Sequence, residues 1–301
     1  MPKGFYRLGC DIGGTFTDFV LVNDQGGEFY VFKCLTTPAD PSEAVERGIQ
    51  VLLDQIPGPK PVIDEIIHGT TLVINAIIER KGAKTGLITT KGFRDVLELG
   101  RELRYDAYDI FSEYPPPLVP RALRMEVDER IASDGRVIQE LAPDDVRRSL
   151  SQLRALGIES LAVCLINSYR NPVHEREIKA IVEGEAPELF LSTSFEVLPQ
   201  IREYERTCTT ATTAYVKPIT ARYLTKLSSR LEAQGFAGTL YIMLSSGGIT
   251  SVATAREFPV RIIESGPTAA VIASQYYGRM FKIRDMFCFD MGGTTAKSCL
   301  I

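Results

Sequence analysis

The sequence predicts an α/β protein with mixed sheets, and three observations indicate this fold class. Runs of β-prone residues alternate along the chain with segments whose apolar residues recur at the helical period of about 3.6. The motif D-x-G-G-T occurs twice, each time between two apolar or β-prone runs, which predicts two hairpins with Gly-Gly turns. Crossover helices join the other strands, and hairpins combined with crossover helices are typical of α/β folds.

The elements follow in order from local signals. The strand at 28–34 follows a Gly-Gly turn, Pro41 marks the start of a helix, and Asn171-Pro172 marks the start of another. Strands are predicted at 28–34, 62–67, 85–90, 159–166, 239–244 and 286–290, with irregular short strands within 121–140. Helices are predicted at 42–56, 72–80, 143–156, 171–183, 198–234 (as one helix or two) and 266–279, and a Pro-rich loop at 113–120.

We place a domain boundary near residue 198, which divides the chain into residues 1–197 and 198–301. No Gly/Ser-rich linker marks this boundary, so we expect the two parts to be rigidly joined. The chain ends inside the second predicted hairpin, whose sheet would need further strands and helices to cover it. We therefore expect a longer protein or a split one, with a second lobe that is only begun here.

Composition excludes several classes of function. The 301 residues are 45% hydrophobic and 24% charged, and the net charge of −4 disfavours a nucleic-acid partner. No apolar run reaches the roughly 18 residues of a membrane span, and Arg7 and Asp11 interrupt any signal-peptide region. Six cysteines without a C-x-x-C pair and two histidines disfavour a structural zinc site. We expect a cytoplasmic protein with reduced cysteines and no membrane partner.

The repeated motif is the most informative feature of the sequence. Residues 9–22 read GCDIGGTFTDFVLV and residues 288–301 read CFDMGGTTAKSCLI. Aligned on the acid, the two copies predict two related lobes that open with the same hairpin. The alignment places Asp11 on Asp290, Gly13 on Gly292, Gly14 on Gly293, Thr15 on Thr294 and Asp18 on Lys297.

Such a pair of turns favours phosphate binding. A Gly-Gly turn offers backbone N–H groups to an anion without an obstructing Cβ, and a carboxylate beside phosphates suits Mg²⁺. One copy alone would be read as an ordinary tight turn, but two copies with matched flanks favour a phosphate site. Lys297 can neutralise phosphate charge, whereas Asp18 can hold a metal-bound water or act as a base. Hydroxyl donors are available at Thr15, Thr17, Thr294 and Thr295.

Two further residues are candidates for the same cleft. His68 lies at the carboxyl end of a predicted strand, where open α/β sheets bind ligands, and can bind substrate or polarise its carbonyl group. The alternative for His68 is a loop histidine that is hydrogen-bonded beside the helix cap Thr71. Gly266 begins a helix whose N-terminus can face a phosphate or a bound substrate.

The motifs DIGGTFTD and DMGGTTAK resemble the two phosphate loops of the actin, heat-shock chaperone and sugar-kinase ATPases, whose ribonuclease-H-like lobes clamp Mg-ATP. Longer stretches resemble the hydantoinase A/5-oxoprolinase family, which includes ATP-dependent N-methylhydantoinase, 5-oxoprolinase, and subunits of acetone and acetophenone carboxylases. This resemblance covers nearly the whole chain, and the family's A subunits are roughly twice as long. The stretches are 68–102, 115–131, 165–177, 196–218 and 262–271.

The resemblance implies an ATP-dependent hydrolase of cyclic amides of the hydantoin or 5-oxoproline type, which uses Mg²⁺. ATP would phosphorylate the carbonyl oxygen, and water would then open the ring. Asp11 and Asp290 would hold Mg²⁺ through water, with Asp290 or Asp18 as a candidate base. A hydantoinase B-type subunit would be the partner in a hetero-oligomer. The cradle for the β- and γ-phosphates would be Gly13, Gly14, Thr15, Gly292, Gly293 and Thr294.

Two alternatives stay open at this point. The chain can belong to an ATP-dependent ketone carboxylase of the acetone or acetophenone type. It can also be a non-catalytic, actin-like ATP-binding module. A sugar kinase agrees less well, because residues 68–102 and 196–218 do not resemble one.

Overall fold

The structure is a computed structural model that describes residues 5–37, 39–58, 60–101, 106, 108–292 and 295–301. The chain divides into two compact units. We call Met1–Lys81 with Ile219–Ile301 the hairpin unit, and Gly82–Pro218 the parallel-sheet unit. The boundary near residue 198 rests on the predicted start of a long helix, and it stays a prediction about the two lobes.

The α/β fold class is confirmed, because strands and helices alternate along the chain and the strands form a mixed sheet. The strands are β1 (Tyr6–Ile12), β2 (Phe16–Asn23), β3 (Phe29–Leu35), β4 (Ile63–Thr70), β5 (Thr85–Thr90), β6 (Arg124–Val127), β7 (Arg130–Ile131), β8 (Val137–Gln139), β9 (Ser160–Cys164), β10 (Phe190–Thr193), β11 (Thr239–Met243), β12 (Ile249–Ser251), β13 (Phe287–Met291) and β14 (Ala296–Leu300). The α-helices are α1 (Pro41–Gln55), α2 (Leu72–Ile78), α3 (Val96–Leu99), α4 (Pro143–Ala155), α5 (Val173–Glu185), α6 (Ser194–Val197), α7 (Glu203–Ala233), α8 (Val252–Glu257) and α9 (Ser265–Phe281).

The hairpin unit is built on a six-stranded sheet in the order β12-β11-β4-β1-β2-β3. Strands β1, β4 and β11 run parallel, whereas β2, β3 and β12 pair antiparallel to their neighbours. Helix α1 packs Val45, Ile49 and Leu52 against this sheet, as their helical spacing predicts. Gly48 permits the close approach, because a Cβ there would lie 2.1 Å from the Phe19 ring.

The parallel-sheet unit contains a four-stranded sheet in the order β10-β9-β5-β6, and all of its neighbouring strands are parallel. Its central strands, β5 and β9, are buried along their whole length, as is usual for strands of a parallel sheet. Helices α4 and α5 contribute Leu150, Leu153, Ile178 and Val182 to its core. His174, in the first turn of α5, is buried and its Nδ1 lies 2.7 Å from Glu129 Oε2, in agreement with a structural role.

Most predicted elements are found within a few residues of their expected bounds, but two short strands were not predicted. Strand β10 has only four residues and β12 only three, too few for an alternating pattern to stand out. All six cysteines are free thiols. Among the residues that the structure describes, no helix is long and apolar enough to cross a membrane.

Candidate functional site

The first glycine turn closes the hairpin of β1 and β2. Asp11 lies opposite Asp18 in the antiparallel register, and the Gly13 N–H donates to the Phe16 carbonyl at 2.9 Å. Two residues, Gly14 and Thr15, therefore form the tip. This is the strand–turn–strand arrangement that the D-x-G-G-T motif predicts.

The second glycine turn repeats this geometry in the hairpin of β13 and β14. Asp290 lies opposite Lys297, and the Gly292 N–H donates to the Thr295 carbonyl at 3.0 Å. Each of these four residues occupies the position of its counterpart in the first hairpin. The alignment of the two motifs therefore describes one local structure, in which Asp18 and Lys297 are the matched pair of opposite charge.

Two threonines hold the first turn from within the hairpin unit. Thr36 donates its hydroxyl to the Gly13 carbonyl and its N–H to the Thr15 carbonyl, both at 2.9 Å. Thr71 donates its N–H to the Ile12 carbonyl at 3.0 Å. These bonds occupy the carbonyl oxygens of the turn, whose partial negative charges would otherwise repel an anion.

Both turns line one cavity of about 470 Å³, which we call the hairpin cavity. It lies within the hairpin unit, and it combines carboxylates, lysines and the glycine turns. Its lining residues are Asp11, Gly13, Gly14, Thr15, Phe16, Asp18, Lys33, Thr71, Asn75, Asp290, Met291, Gly292, Thr295 and Lys297.

The Asp11 carboxylate lies in a recess at this cavity. Its Oδ1 atom is buried and has no hydrogen-bond partner among the residues that the structure describes. A Cβ at Gly69 would lie 2.9 Å from this oxygen, and one at Gly266 would lie 3.6 Å from it. Glycine at both positions leaves room for the carboxylate, and Gly266 brings the first turn of α9 beside it. An unpartnered buried carboxylate oxygen is costly unless a ligand or cation completes it.

The charges around Asp11 also indicate that its carboxylate needs a ligand or a cation. Burial raises the pKa of Asp11 above its ordinary value, and the negative charges of Asp18 and Asp290 raise that pKa further. Lys297 and Lys33 act in the opposite direction without cancelling these effects. The carboxylates at this cavity therefore repel one another in the absence of a cation.

The donor set fits Mg²⁺. This ion binds oxygen ligands, keeps several waters, and usually takes one or two protein carboxylates together with phosphate oxygens. Asp11 and Asp290 supply two carboxylates at one cavity. Within the described ranges, no group of three Asp, Glu, His or Cys side chains forms an all-protein metal site.

The two lysines of the cavity make ion pairs of their own. Lys33 Nζ lies 2.9 Å from Asp18 Oδ1, on the neighbouring strand. Lys297 Nζ lies 3.2 Å from Glu264 Oε2, just before α9. No ion pair joins Asp290 to any residue in the described part of the chain. Asp290 is therefore the less constrained of the two candidate bases.

Most of the predicted site residues meet at the hairpin cavity, and one predicted hydroxyl does not. Thr17 is fully buried, its hydroxyl lies 2.9 Å from that of Thr36, and it does not line the cavity. Gly293 and Thr294 lie outside the described residues. Those that line the cavity are Asp11, Gly13, Gly14, Thr15, Asp18, Asp290, Gly292, Thr295 and Lys297.

The expectation that His68 lies in the cleft is also not met. His68 is 1% exposed, and both ring nitrogens have partners: Nδ1 with the Cys10 carbonyl at 3.2 Å and Nε2 with the Tyr223 hydroxyl at 2.7 Å. Burial lowers its pKa to about 4, so the ring is neutral at pH 7. A carbonyl only accepts, so Nδ1 donates to it and Nε2 accepts from the tyrosine. His68 therefore belongs to the core.

Three polar side chains that line the cavity were not predicted as part of the site. Lys33 faces Asp18 across β2 and β3, and a register drawn from the hairpin could have revealed this pairing. Thr71 and Asn75 reach the cavity from the start of α2, and nothing in the spacing of the sequence indicates that contact.

Comparison with known proteins agrees with this geometry. The model of the hydantoinase/oxoprolinase N-terminal region matches residues 7–186, and the hydantoinase/oxoprolinase model matches residues 206–301. Caprolactamase subunit alpha of Pseudomonas jessenii is 37% identical over 98% of this chain and 43% of its own length. The 5-oxoprolinase of Saccharomyces cerevisiae is 31% identical over 98% of this chain and 26% of its own length.

Solved structures show the same fold. A nucleotide-free acetone carboxylase, described under the mechanism of ATP-dependent acetone carboxylation, has a TM-score of 0.90 and 29% identity, over 99% of this chain and 44% of its own. The ATP-dependent caprolactamase from Pseudomonas jessenii has a TM-score of 0.85 and 36% identity, over 98% and 43%. This chain thus spans less than half the length of the relatives that it matches. With a family model matching well over half of its residues, the chain belongs to the hydantoinase/oxoprolinase family.

Proposed function

We propose that the protein is the ATP-using part of an enzyme that opens cyclic amides, and that it activates the amide carbonyl by phosphorylation from Mg-ATP. The observation that carries this proposal is the hairpin cavity, in which two matched glycine turns and the unpartnered carboxylate of Asp11 meet. Phosphoryl transfer needs such positioning and charge stabilisation more than covalent help from the protein.

The triphosphate would lie between the two turns. On one side, Gly13, Gly14 and Thr15 offer a tip whose neighbouring carbonyls are already hydrogen-bonded inside the protein. On the other side, Gly292 and Thr295, which flank the second turn, line the same cavity. By the alignment of the motifs, Gly293 and Thr294 would complete this second cradle.

Asp11 and Asp290 would hold Mg²⁺, which when bound neutralises the charge that develops on the β- and γ-phosphates. The chain's own residues supply the rest. Lys297 offsets phosphate charge, while Asp290 or Asp18 accepts a proton from the water that attacks the activated carbonyl carbon. That attack breaks the ring C–N bond and leaves an acyl phosphate, which a second water hydrolyses.

The names of the relatives favour a cyclic amide. Caprolactamase and 5-oxoprolinase are both named for such rings. The structure of acetone carboxylase, with its TM-score of 0.90, favours a second candidate, the activation of a ketone for carboxylation. The relatives include subunits named alpha, beta and gamma, which supports a B-type partner subunit for this chain. The use of ATP agrees with the expected cytoplasmic location.

ADP release by the full-length protein with its B-type partner tests this proposal. The panel contains ε-caprolactam, 5-oxoproline, hydantoin and N-methylhydantoin, and acetone or acetophenone with bicarbonate. We expect one cyclic amide to stimulate ADP release in a Mg²⁺-dependent manner. Stimulation by a ketone with bicarbonate alone would favour the carboxylase. Mg-ATP binding without stimulation by any compound would favour a non-catalytic module.

A further inference from the structure

A second cavity adjoins the hairpin cavity within the hairpin unit. It has a volume of about 270 Å³, and we call it the side cavity. The two cavities share four lining residues: Gly13, Gly14, Thr71 and Asn75. A molecule in the side cavity would therefore lie against the same turn that is proposed to hold the γ-phosphate. This is the position that a phosphoryl acceptor must occupy.

The walls of the side cavity suit a compact, largely apolar ring. They include Ile12, Pro41, Leu72, Ala76 and Ile219. A water occupies about 30 Å³ in the liquid, so the volume accommodates a ring of seven or eight heavy atoms. Apolar walls with a few placed polar groups are typical of small-molecule sites.

The charges of the side cavity cancel. Its charged lining residues are Glu79 and Lys81, and the Lys81 ammonium lies 2.6 Å from Glu79 Oε2. A carboxylate on the ligand would meet the negative charge of Glu79, which already balances the charge of the lysine. The lining thus favours a neutral ligand over a charged one.

Asn75 provides the polar group at the junction of the two cavities. Its Nδ2 donates to the Thr71 hydroxyl at 3.2 Å, and that hydroxyl donates its own hydrogen to the Ile12 carbonyl at 3.3 Å. This chain of donors fixes the orientation of the carboxamide, because the threonine oxygen is left to accept. Asn75 Oδ1 is then available as an acceptor for an N–H group.

We propose that the side cavity binds the phosphoryl acceptor, a neutral cyclic amide, and that Asn75 accepts its ring N–H. This inference rests on the proposed function. With the N–H held by Oδ1, the amide oxygen faces the shared turn. That oxygen forms a bond to the γ-phosphorus, the bond from phosphorus to the β–γ bridging oxygen breaks, and its electron pair leaves with ADP. The nitrogen keeps its hydrogen during this step.

The same geometry makes Asn75 a specificity residue. A ketone has no N–H, so a bound ketone would cover Oδ1 without giving it a hydrogen-bond partner. Sites built to pair a polar group of the substrate reject analogues that lack it. Asn75 therefore favours amides over ketones, whereas the paired charges favour an uncharged lactam over 5-oxoproline, a lactam that carries a carboxylate.

Calorimetry with ε-caprolactam and ADP on the full-length protein with its partner tests the inference. The variants are Asn75→Leu, which removes the acceptor, and Ala76→Met, which fills the side cavity; Gln50→Leu, on an exposed face of α1, is the control. We expect both cavity variants to weaken caprolactam binding at least tenfold. ADP affinity should change less than twofold in Ala76→Met, because Ala76 lines the side cavity and not the hairpin cavity. The control should bind caprolactam normally, and wild type should bind 5-oxoproline more weakly than caprolactam.

A measurement on wild type alone keeps the inference testable if a variant does not fold. Caprolactam should slow amide hydrogen exchange in α2 and leave α4 unchanged. Normal caprolactam binding by both cavity variants, unchanged exchange in α2, tighter binding of 5-oxoproline, or no binding of any cyclic amide would each overturn the inference. If one of these contradicting results is found although a cyclic amide stimulates ADP release, only this inference fails. If only ketones stimulate it, the proposed function fails as well.

Discussion

The two glycine hairpins share a register but differ in their surroundings. Strands β1 and β2 lie inside the six-stranded sheet, where Leu8 and Cys10 are almost completely buried. Strands β13 and β14 form a two-stranded sheet in the described part of the chain, and Phe287 and Phe289 are 63% and 59% exposed. A repeated motif thus specifies the turn and its chemistry, whereas neighbouring elements determine how well it is buried.

The hairpins also differ in charge at one matched position. Asp18 follows the first turn and lies opposite Asp11, whereas Lys297 follows the second turn and lies opposite Asp290. The first hairpin therefore places two carboxylates at the cavity, and the second places one carboxylate and one ammonium group there. One cavity obtains both signs of charge from two copies of one motif.

Among the predicted effects, the largest is the loss of turnover when the Asp11 carboxylate of the first hairpin is removed. Asp11→Asn keeps the shape of the side chain but removes a charge that no other residue replaces at the recess. We expect substrate-stimulated ADP release by the full-length protein to fall about 10³-fold, as when a preorganised electrostatic contact is lost. Asp24→Asn, at an exposed ion pair with Arg7, is the matched control and should keep normal turnover. Equal turnover in the two variants would contradict the assignment.

The burial of the two hairpins predicts unequal local stability. Two-stranded sheets are marginal alone, and local opening costs least where few apolar contacts are buried. In the 301-residue chain we expect amides of β13 and β14 to exchange about 100-fold faster than those of β1 and β2. Hydrogen exchange followed by mass spectrometry measures this ratio. Equal protection of the two hairpins would show that the exposed phenylalanines do not weaken the second one.

The matched charges predict opposite effects on nucleotide affinity. Lys297→Gln should weaken Mg-ATP binding about tenfold, because one positive charge near the phosphates is lost. Asp18→Asn should leave affinity within about threefold or strengthen it, since a negative charge is removed. Calorimetric titration of the full-length protein measures both, with Lys60→Gln as an exposed control. Weaker Mg-ATP binding by the Asp18→Asn variant would instead indicate that this carboxylate binds the cation.

The smallest predicted effect is on the free energy of unfolding of the nucleotide-free protein. Because the folded pKa of Asp11 is raised, its contribution to stability is present at low pH and is lost as pH rises through that pKa. At pH 8, Asp11→Asn should therefore stabilise the nucleotide-free chain by about 1 kcal/mol, or roughly 2 °C in Tm. The difference from wild type should shrink as pH falls. Thermal melts across pH check this, and a constant difference would contradict the origin of the shift.

Much of the site could be predicted because its information is local. The D-x-G-G-T motif carries the acid and the turn within five residues, and the sequence repeats it. The prediction for His68 was wrong because its hydrogen bonding in the core depends on Tyr223, which is 155 residues away along the chain. Thr17 was misplaced because Thr36 meets it across the sheet. Asn75 was missed because the side cavity exists only after α2 packs beside the turn.

The most direct test of the central claim is titration of Mg-ATP into the full-length protein, in wild type and in the Asp11→Asn, Asp290→Asn double variant. The account predicts that wild type binds ATP more tightly with Mg²⁺ than with EDTA. It also predicts that the double variant loses this dependence on Mg²⁺ while remaining folded. An unchanged response to Mg²⁺ in the folded double variant would contradict the assignment of the hairpin cavity as the Mg-ATP site.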